Sequence, residues 1–259
     1  MSKPRPRNRP NSYRRKSVSR PPASGQGWLW GVHAVSAALA NPKRNLQRLV
    51  ATKNGLDRLA AKPGKAELME PGAIDALLPR DSVHQGIAAQ FDPIDPVQIE
   101  DVIKRGLPRV VILDQVSDPQ NLGAVYRSAA AFGFGALVLQ TRNAPAISGS
   151  VAKAAVGAIE TVDECRVVNI ARAIEALNEA GYHTVGLAGE GQALIDAAVR
   201  GASKLAIVLG AEGPGLRPGV AKACAELARI PIAAQMESLN VSNAAAIAFY
   251  EAQRSALKP

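Results

Sequence analysis

Hydrophobic patterning divides the chain into two unequal parts. In the first, GWLWGVHAVSAALANP predicts a short strand entering a helix that ends near Asn41-Pro42. LQRLVATKN predicts a second strand with a turn at Gly55 beyond it, and SVHQGIAAQF another short strand. Trp28 and Trp30 share a face by strand alternation, which places both in a core. The stretch DPIDP, Asp92 to Pro96, punctuates the chain like a linker. Residues 27–92 therefore predict a small α/β domain.

From Val97 to the end, residues 97–259, strands and helices alternate. RVVILDQV is apolar without alternation, as in a strand buried on both faces. A helix is expected over Asn121 to Phe132, followed by the strand ALVLQ. SGSVAKAAVGAI, NIARAIEALNEAG and QALIDAAVRG predict helices, interleaved with the strands HTVGLAG and KLAIVLG. RPGVAKACAELA predicts a further helix, RIPI a short strand, and a last helix follows Asn243. This is an α/β pattern with a mainly parallel sheet. Ligands of such sheets bind outside the carboxyl ends of the strands.

Charge adds a third region. Residues 1–25 carry eight of the 31 basic residues and no acid, so the other 23 bases face 22 acids and the body is nearly neutral. A disordered basic arm of this kind tethers nucleic acid, although a solubilising tail has the same composition. Its arginines and serines also suit a mitochondrial transit peptide, but Pro4, Pro6, Pro10, Pro21 and Pro22 oppose the amphipathic helix that role needs. No stretch is apolar and long enough to span a bilayer. Two cysteines, Cys165 and Cys224, make no disulfide framework, which fits the cytoplasm and reads as small buried hydrophobes. No cluster has metal-ligand spacing, so no metal is expected.

Unusual residues collect in three loops at expected carboxyl ends of strands. The first, DQVSDPQNLGAVYRSAAAFG, holds Asn121 near a helix start, Gly123 where close backbone approach is implied, and Arg127 in an apolar helix. An arginine facing a cleft there suits phosphate. The second, VLGAEGPGLRP, has Gly210, Gly213 and Gly215 in the order G-x-x-G-x-G rather than the dinucleotide order. Glu212 inside that loop would repel pyrophosphate, so a ligand without phosphates fits better. The third, MESLNVSNAAAIAFYEA, gathers Ser238, Asn240, Ser242 and Asn243, where one helix cap needs a single polar residue. Together they suit a neutral or zwitterionic ligand and a ribose.

The segments DPQNLGAVYRSAAAFG, IVLGAEGPGLRP and IPIAAQMESLNVSNAAAIAFYE, in this order, resemble the three signature motifs of the SpoU-type RNA ribose methyltransferases of the SPOUT superfamily. GVHAVSAAL, LVATKN and VHQGIAAQF resemble the ribosomal-protein-like substrate-binding domain of the ribosomal-RNA branch. The resemblance implies S-adenosyl-L-methionine as cofactor, a homodimer, and a carboxyl-terminal trefoil knot that no pattern reading proposes. It implies methylation of a ribose 2′-hydroxyl, with a guanosine of 23S ribosomal RNA as the target and transfer RNA as the nearest rival. By motif position, main-chain contacts to the adenine fall at Gly210, Ile230 and Leu239, with Gly215 and Asn243 beside them.

For catalysis the resemblance points to Arg127. A guanidinium almost never gives up its proton, so a phosphate clamp that also stabilises the developing alkoxide suits it better than a base. Asn121 and Ser238 are expected to orient the ribose or Arg127, Glu212 to fix Arg127 or its own loop, and Asn240 to shape the third loop. None of the three histidines is an obvious base; His33 and His84 are open to RNA contact or a structural role. The rival readings are an RNA-binding protein of this fold without catalysis and a nucleotide-dependent oxidoreductase.

Overall fold

The computed structural model describes residues 27–59, 64, 66–142 and 144–257. The basic arm expected at residues 1–25 lies outside them. Two sheets organise the rest. The first runs through β1 (Trp28–Trp30), α1 (Val32–Ala40), β2 (Leu46–Ala51), α2 (Lys53–Asp57), β3 (Glu67–Leu68), α3 (Pro71–Asp75) and β4 (Ile87–Phe91). Its strand order is β1-β4-β2-β3, with β4 antiparallel to both neighbours and β3 parallel to β2. Trp28 and Trp30 are both buried in one cluster with Val50, Ile74, Leu78 and Ala88, as strand alternation predicts. Gly55 does not make a turn; it lies in α2, whose first turn is capped by Thr52 Oγ1. A Cβ at Gly55 would fall 2.0 Å from the Gly86 carbonyl oxygen, so backbone packing holds this position.

The second sheet is built by α4 (Ile99–Lys104), β5 (Arg109–Leu113), α5 (Pro119–Ala131), β6 (Ala136–Gln140), α6 (Gly149–Ala155), β7 (Asp163–Val167) and α7 (Ile170–Glu179). It continues through β8 (His183–Leu187), β9 (Ala193–Leu194), α8 (Ile195–Ala198), β10 (Leu205–Leu209), α9 (Pro218–Ala223), β11 (Glu226–Arg229) and α10 (Val241–Ala256). The order is β7-β6-β5-β10-β8-β11-β9, and every pairing is parallel. The expected mainly parallel α/β sheet is therefore present. On β5, Val111 and Leu113 enter one core while Val110 and Ile112 enter the other, which explains why RVVIL shows no polar alternation.

Several boundaries differ from expectation, each for a local reason. Asp118 caps α5 through the Gln120 N–H and Pro119 takes the first helical position, so that helix starts before Asn121. RPGVAKACAELA stays helical only to Ala223, because Glu226, Leu227 and Ala228 pair with Val185, Gly186 and Leu187 of β8. Within QALIDAAVRG, Ala193-Leu194 pairs with β11, leaving a helix of four residues. DECRV forms the edge strand β7, on which only Cys165 is fully buried and the apolar signal is weak. The last helix begins at Val241 rather than after Asn243.

The close approach expected at Gly123 is to α6: a Cβ there would lie 2.5 Å from the Ala154 Cβ and 2.8 Å from the Val151 carbonyl oxygen. The two sheets' units are joined by another such approach. A Cβ at Gly149 would meet the Trp30 ring at 1.9 Å, so the indole of β1 lies directly on the start of α6. Beside it, Arg44 Nη2 donates to Glu160 Oε1 at 2.9 Å and Asn41 Nδ2 to Glu160 Oε2 at 2.6 Å, all from largely buried groups. The final helix α10 packs on α5, α8 and β10.

Candidate active site

Loops at the carboxyl ends of β5, β8, β10 and β11 meet at one place. The glycine loop after β10 folds back on itself: the Gly215 N–H donates to the Ala211 carbonyl at 3.0 Å, with φ of 84° at Gly213 and 68° at Gly215. A Cβ at Gly210 would lie 2.1 Å from the carbonyl carbon of Gly215, so only glycine permits this closure. An ion pair between a buried carboxylate and a partly exposed arginine anchors the loop's far end. Asp114, fully buried just past β5, receives Arg217 Nε at 2.9 Å, Arg217 Nη2 at 2.5 Å and the Arg217 main-chain N–H at 3.1 Å. The Asp114 N–H donates in turn to the Leu209 carbonyl at 2.8 Å.

The polar cluster before α10 is a clasp between loops. Glu212 Oε1 accepts Asn121 Nδ2 at 3.0 Å, Asn240 Nδ2 at 2.6 Å and the Val241 N–H at 3.4 Å. Asn240 Nδ2 also donates to Asn121 Oδ1 at 3.0 Å, tying α5 to the same point. Asn240 Oδ1 then caps α10, accepting the Ser242 N–H at 2.9 Å, the Ser242 hydroxyl at 2.6 Å and the Asn243 N–H at 3.4 Å. One carboxylate thus joins the first, second and third sequence loops. Replacing Glu212 by alanine is expected to free all three and weaken cofactor binding by about tenfold, the value of one or two charge-assisted hydrogen bonds at an exposed site. Equilibrium titration with S-adenosylmethionine checks this; unchanged affinity would show that the clasp does not shape the cleft.

In front of the clasp is a cleft of about 320 Å³. Gly210, Gly215, Ile230, Ser238 and Leu239 line it, with Glu212 at its edge. Its remaining wall, Leu187 to Glu190, comes from the end of β8. Apolar side chains and main chain make the walls, three carboxylates (Glu190, Glu212 and Glu237) are present, and no basic side chain lines it among the described residues. This donor set suits a cationic sulfonium with an uncharged heterocycle and disfavours a polyphosphate.

Asn121, Asn240 and Asn243 lie behind this cleft rather than in its lining, and Asn121 and Asn240 act on it through Glu212. Arg127 is not brought to the cluster within one chain. It is exposed on α5 and opens on a different cleft, so Glu212 fixes its own loop and not Arg127. His84 has a structural role: Nε2 lies 3.2 Å from Asp75 Oδ1 and Nδ1 accepts the Gly86 N–H at 3.0 Å. Sequence reasoning missed Asp114, Arg217 and the Ala188–Glu190 wall. An acid directly after an unbroken apolar strand was a usable signal for Asp114; its partner 103 positions away left none. Among the described residues, no three His, Cys, Asp or Glu side chains are placed to hold a metal ion.

Residues 108–250 match the model of the SpoU rRNA Methylase family, and residues 28–97 match RNA 2′-O ribose methyltransferase substrate binding. The 23S rRNA (guanosine-2′-O-)-methyltransferase RlmB of Vibrio vulnificus is 37% identical over 244 residues, covering 89% of this chain and 97% of that one. An uncharacterized tRNA/rRNA methyltransferase of Synechocystis is 38% identical over 237 residues; the match covers 86% of this chain and 61% of that relative's length. In fold, the chain resembles the rRNA methyltransferase from Sinorhizobium meliloti, with a TM-score of 0.74 at 24% identity, covering 91% of this chain and 89% of that one. The SpoU methyltransferase AviRb from Streptomyces viridochromogenes, solved in complex with AdoMet, gives 0.74 at 22% identity, covering 89% and 90%. Motif order, paired sheets and matched length lead to one conclusion: the chain belongs to the SpoU rRNA methylase family.

Proposed function

We propose that this protein transfers a methyl group from S-adenosylmethionine to a ribose 2′-hydroxyl of RNA, and that the target is a guanosine of 23S ribosomal RNA. The observation that carries the reading is the acid-edged, base-free cleft between the Gly210 loop and Leu239. When bound there, the cofactor supplies an already activated methyl group on a sulfonium. The protein then has to position it and favour the alkoxide. Gly210, Gly215, Ile230 and Leu239 hold the cofactor, Ser238 orients the ribose at the lip, and Asn121, Glu212, Asn240 and Asn243 keep the loops in place. Arg127 binds the phosphate beside the reacting ribose and stabilises the developing oxyanion.

Residues 27–92 serve as the RNA-binding domain and 97–259 as the methyl-transfer domain, in the cytoplasm. The trefoil is part of this reading; it is supported by α10, which returns from β11 to pack on α5 and β10. So is a homodimer. Asn243, Ile247 and Tyr250 are exposed along one face of α10 at coiled-coil-like spacing, and Leu257, just past its end, continues the stripe with Arg254 between them. In such a pair Arg127 of one copy would serve the cleft of the other, which would reconcile its role with its separation from Gly210 within one chain.

Transfer of labelled methyl from S-adenosylmethionine to 23S rRNA from a deletion strain tests the function, with mapping of the modified nucleotide. RNA binding without label would favour a non-catalytic protein. Label on transfer RNA alone would move the target. Deleting residues 1–25 is expected to weaken RNA binding and flatten its salt dependence, by about 0.7 to 0.9 in log–log slope for each phosphate no longer neutralised. An unchanged slope would remove the arm from RNA binding.

A further inference from the structure

Arg127 opens on a cleft that both sheets' units build. It has a volume of about 430 Å³ and lies between the 79–83 turn, which precedes β4, and the surfaces of α5 and α6. Arg80 from the first unit and Arg127 and Lys153 from the second line it. None of the three has a hydrogen-bond or ion-pair partner among the described residues. Asp81 is the single acid among the described residues of the lining, which therefore carry a net positive charge where those of the cofactor cleft carry a negative one.

Its walls have two further properties. Asp81 (φ 63°) and Val156 (φ 52°) are non-glycine residues in the left-handed region, one on each side. A β-branched residue is rarely held there, and strain of this kind concentrates at binding sites. Val83 and Val156 are also exposed, at 59% and 38%, offering apolar surface beside the cations. Trp30 and Gly149, which lie against each other, also line the cleft and join its two sides.

We propose that this cleft holds the single-stranded RNA next to the modified nucleotide. Arg80 and Lys153 each take a phosphate, and Val83 and Val156 receive an unstacked base. The inference rests on the RNA-methylating reading above and adds to it the path of the strand. Unpaired cations position a backbone without reading sequence. Exposed apolar surface takes a base only when it is splayed from a stack, which excludes a duplex here. The strand so held ends at Arg127, the residue assigned to the phosphate beside the reacting ribose.

The test uses the full chain, an in vitro transcript of 23S rRNA, and the variants Arg80→Gln, Lys153→Gln and their combination, with Arg127 untouched. Both side chains are unpaired, so folding is retained and is checked by thermal melting. Each single variant is expected to raise KM for RNA about fourfold at 0.15 M salt, and the double variant to lower the log–log salt slope of RNA binding by about 1.4. Affinity for S-adenosylmethionine stays at the wild-type value, because these residues are not in its cleft. If the charge-reversed pair Arg80→Glu/Lys153→Glu also binds RNA with wild-type KM and salt slope, the strand does not run here, while a methylating wild type leaves the function intact. If the wild type binds RNA and the variants show a shallower slope but no methyl is transferred, the strand path stands and the function falls. A wild type that binds no RNA overturns both.

Discussion

Replacing Arg127 with alanine is expected to slow methyl transfer to 23S rRNA by about a hundred- to a thousandfold, the usual consequence of removing one positioned oxyanion donor. Affinity for S-adenosylmethionine should not change, because Arg127 is assigned to the RNA phosphate and is not among the residues lining the cleft around Gly210. Arg127→Lys should restore only part of the rate: it keeps the charge but loses the planar fork that holds a phosphate through two hydrogen bonds. Single-turnover methylation at saturating RNA, with cofactor titration in parallel, separates these effects. A near-normal rate for Arg127→Ala would remove the residue from catalysis.

The second large effect is one of stability. Asp114 has 0% of its surface exposed in the native protein, and Arg217→Ala takes away its cation. Removing one partner of a buried pair costs about 3–5 kcal/mol. Here the lower end applies, because the Arg217 side chain is 39% exposed and its main-chain N–H still reaches Asp114. The midpoint of urea unfolding should fall accordingly, and cofactor affinity should fall with it, because the glycine loop loses its anchor. Adding Asp114→Asn should recover part of the lost stability, since a neutral amide needs no cation. If Arg217→Ala melts like the wild type, the pair does not hold the loop.

How far the sequence went depends on the kind of interaction. Strands buried on both faces leave unbroken apolar runs, and RVVIL and LAIVL were legible for that reason. Edge and short strands were not. DECRV shows one buried side chain, and the pairing of Glu226 to Ala228 with β8 overrides a sequence that reads as helix. The unusual composition of the three loops marked the cleft around Gly210, yet the contacts between them were hidden. Glu212 meets Asn121 across 91 positions and Asn240 across 28, and no local pattern encodes such a meeting. Arg127 stood out in the sequence as a cation in an apolar helix but not as one set apart from Gly210. Helical geometry puts it on another face of α5 from Asn121, six residues earlier, and this became plain only when the second cleft could be seen.

Methylation as described here depends on the backbone around Gly210 and Leu239 forming a cradle for a methyl donor. The decisive experiment is titration calorimetry of the full chain with S-adenosylmethionine and with its demethylated product, comparing wild type with Gly210→Ala. A Cβ at that position would lie 2.1 Å from the Gly215 carbonyl carbon and force the loop open. Saturable heat is expected for the wild type and none for Gly210→Ala. Absence of heat with either ligand in the wild type, even with RNA present, or undiminished heat in Gly210→Ala, would show that no such cradle exists.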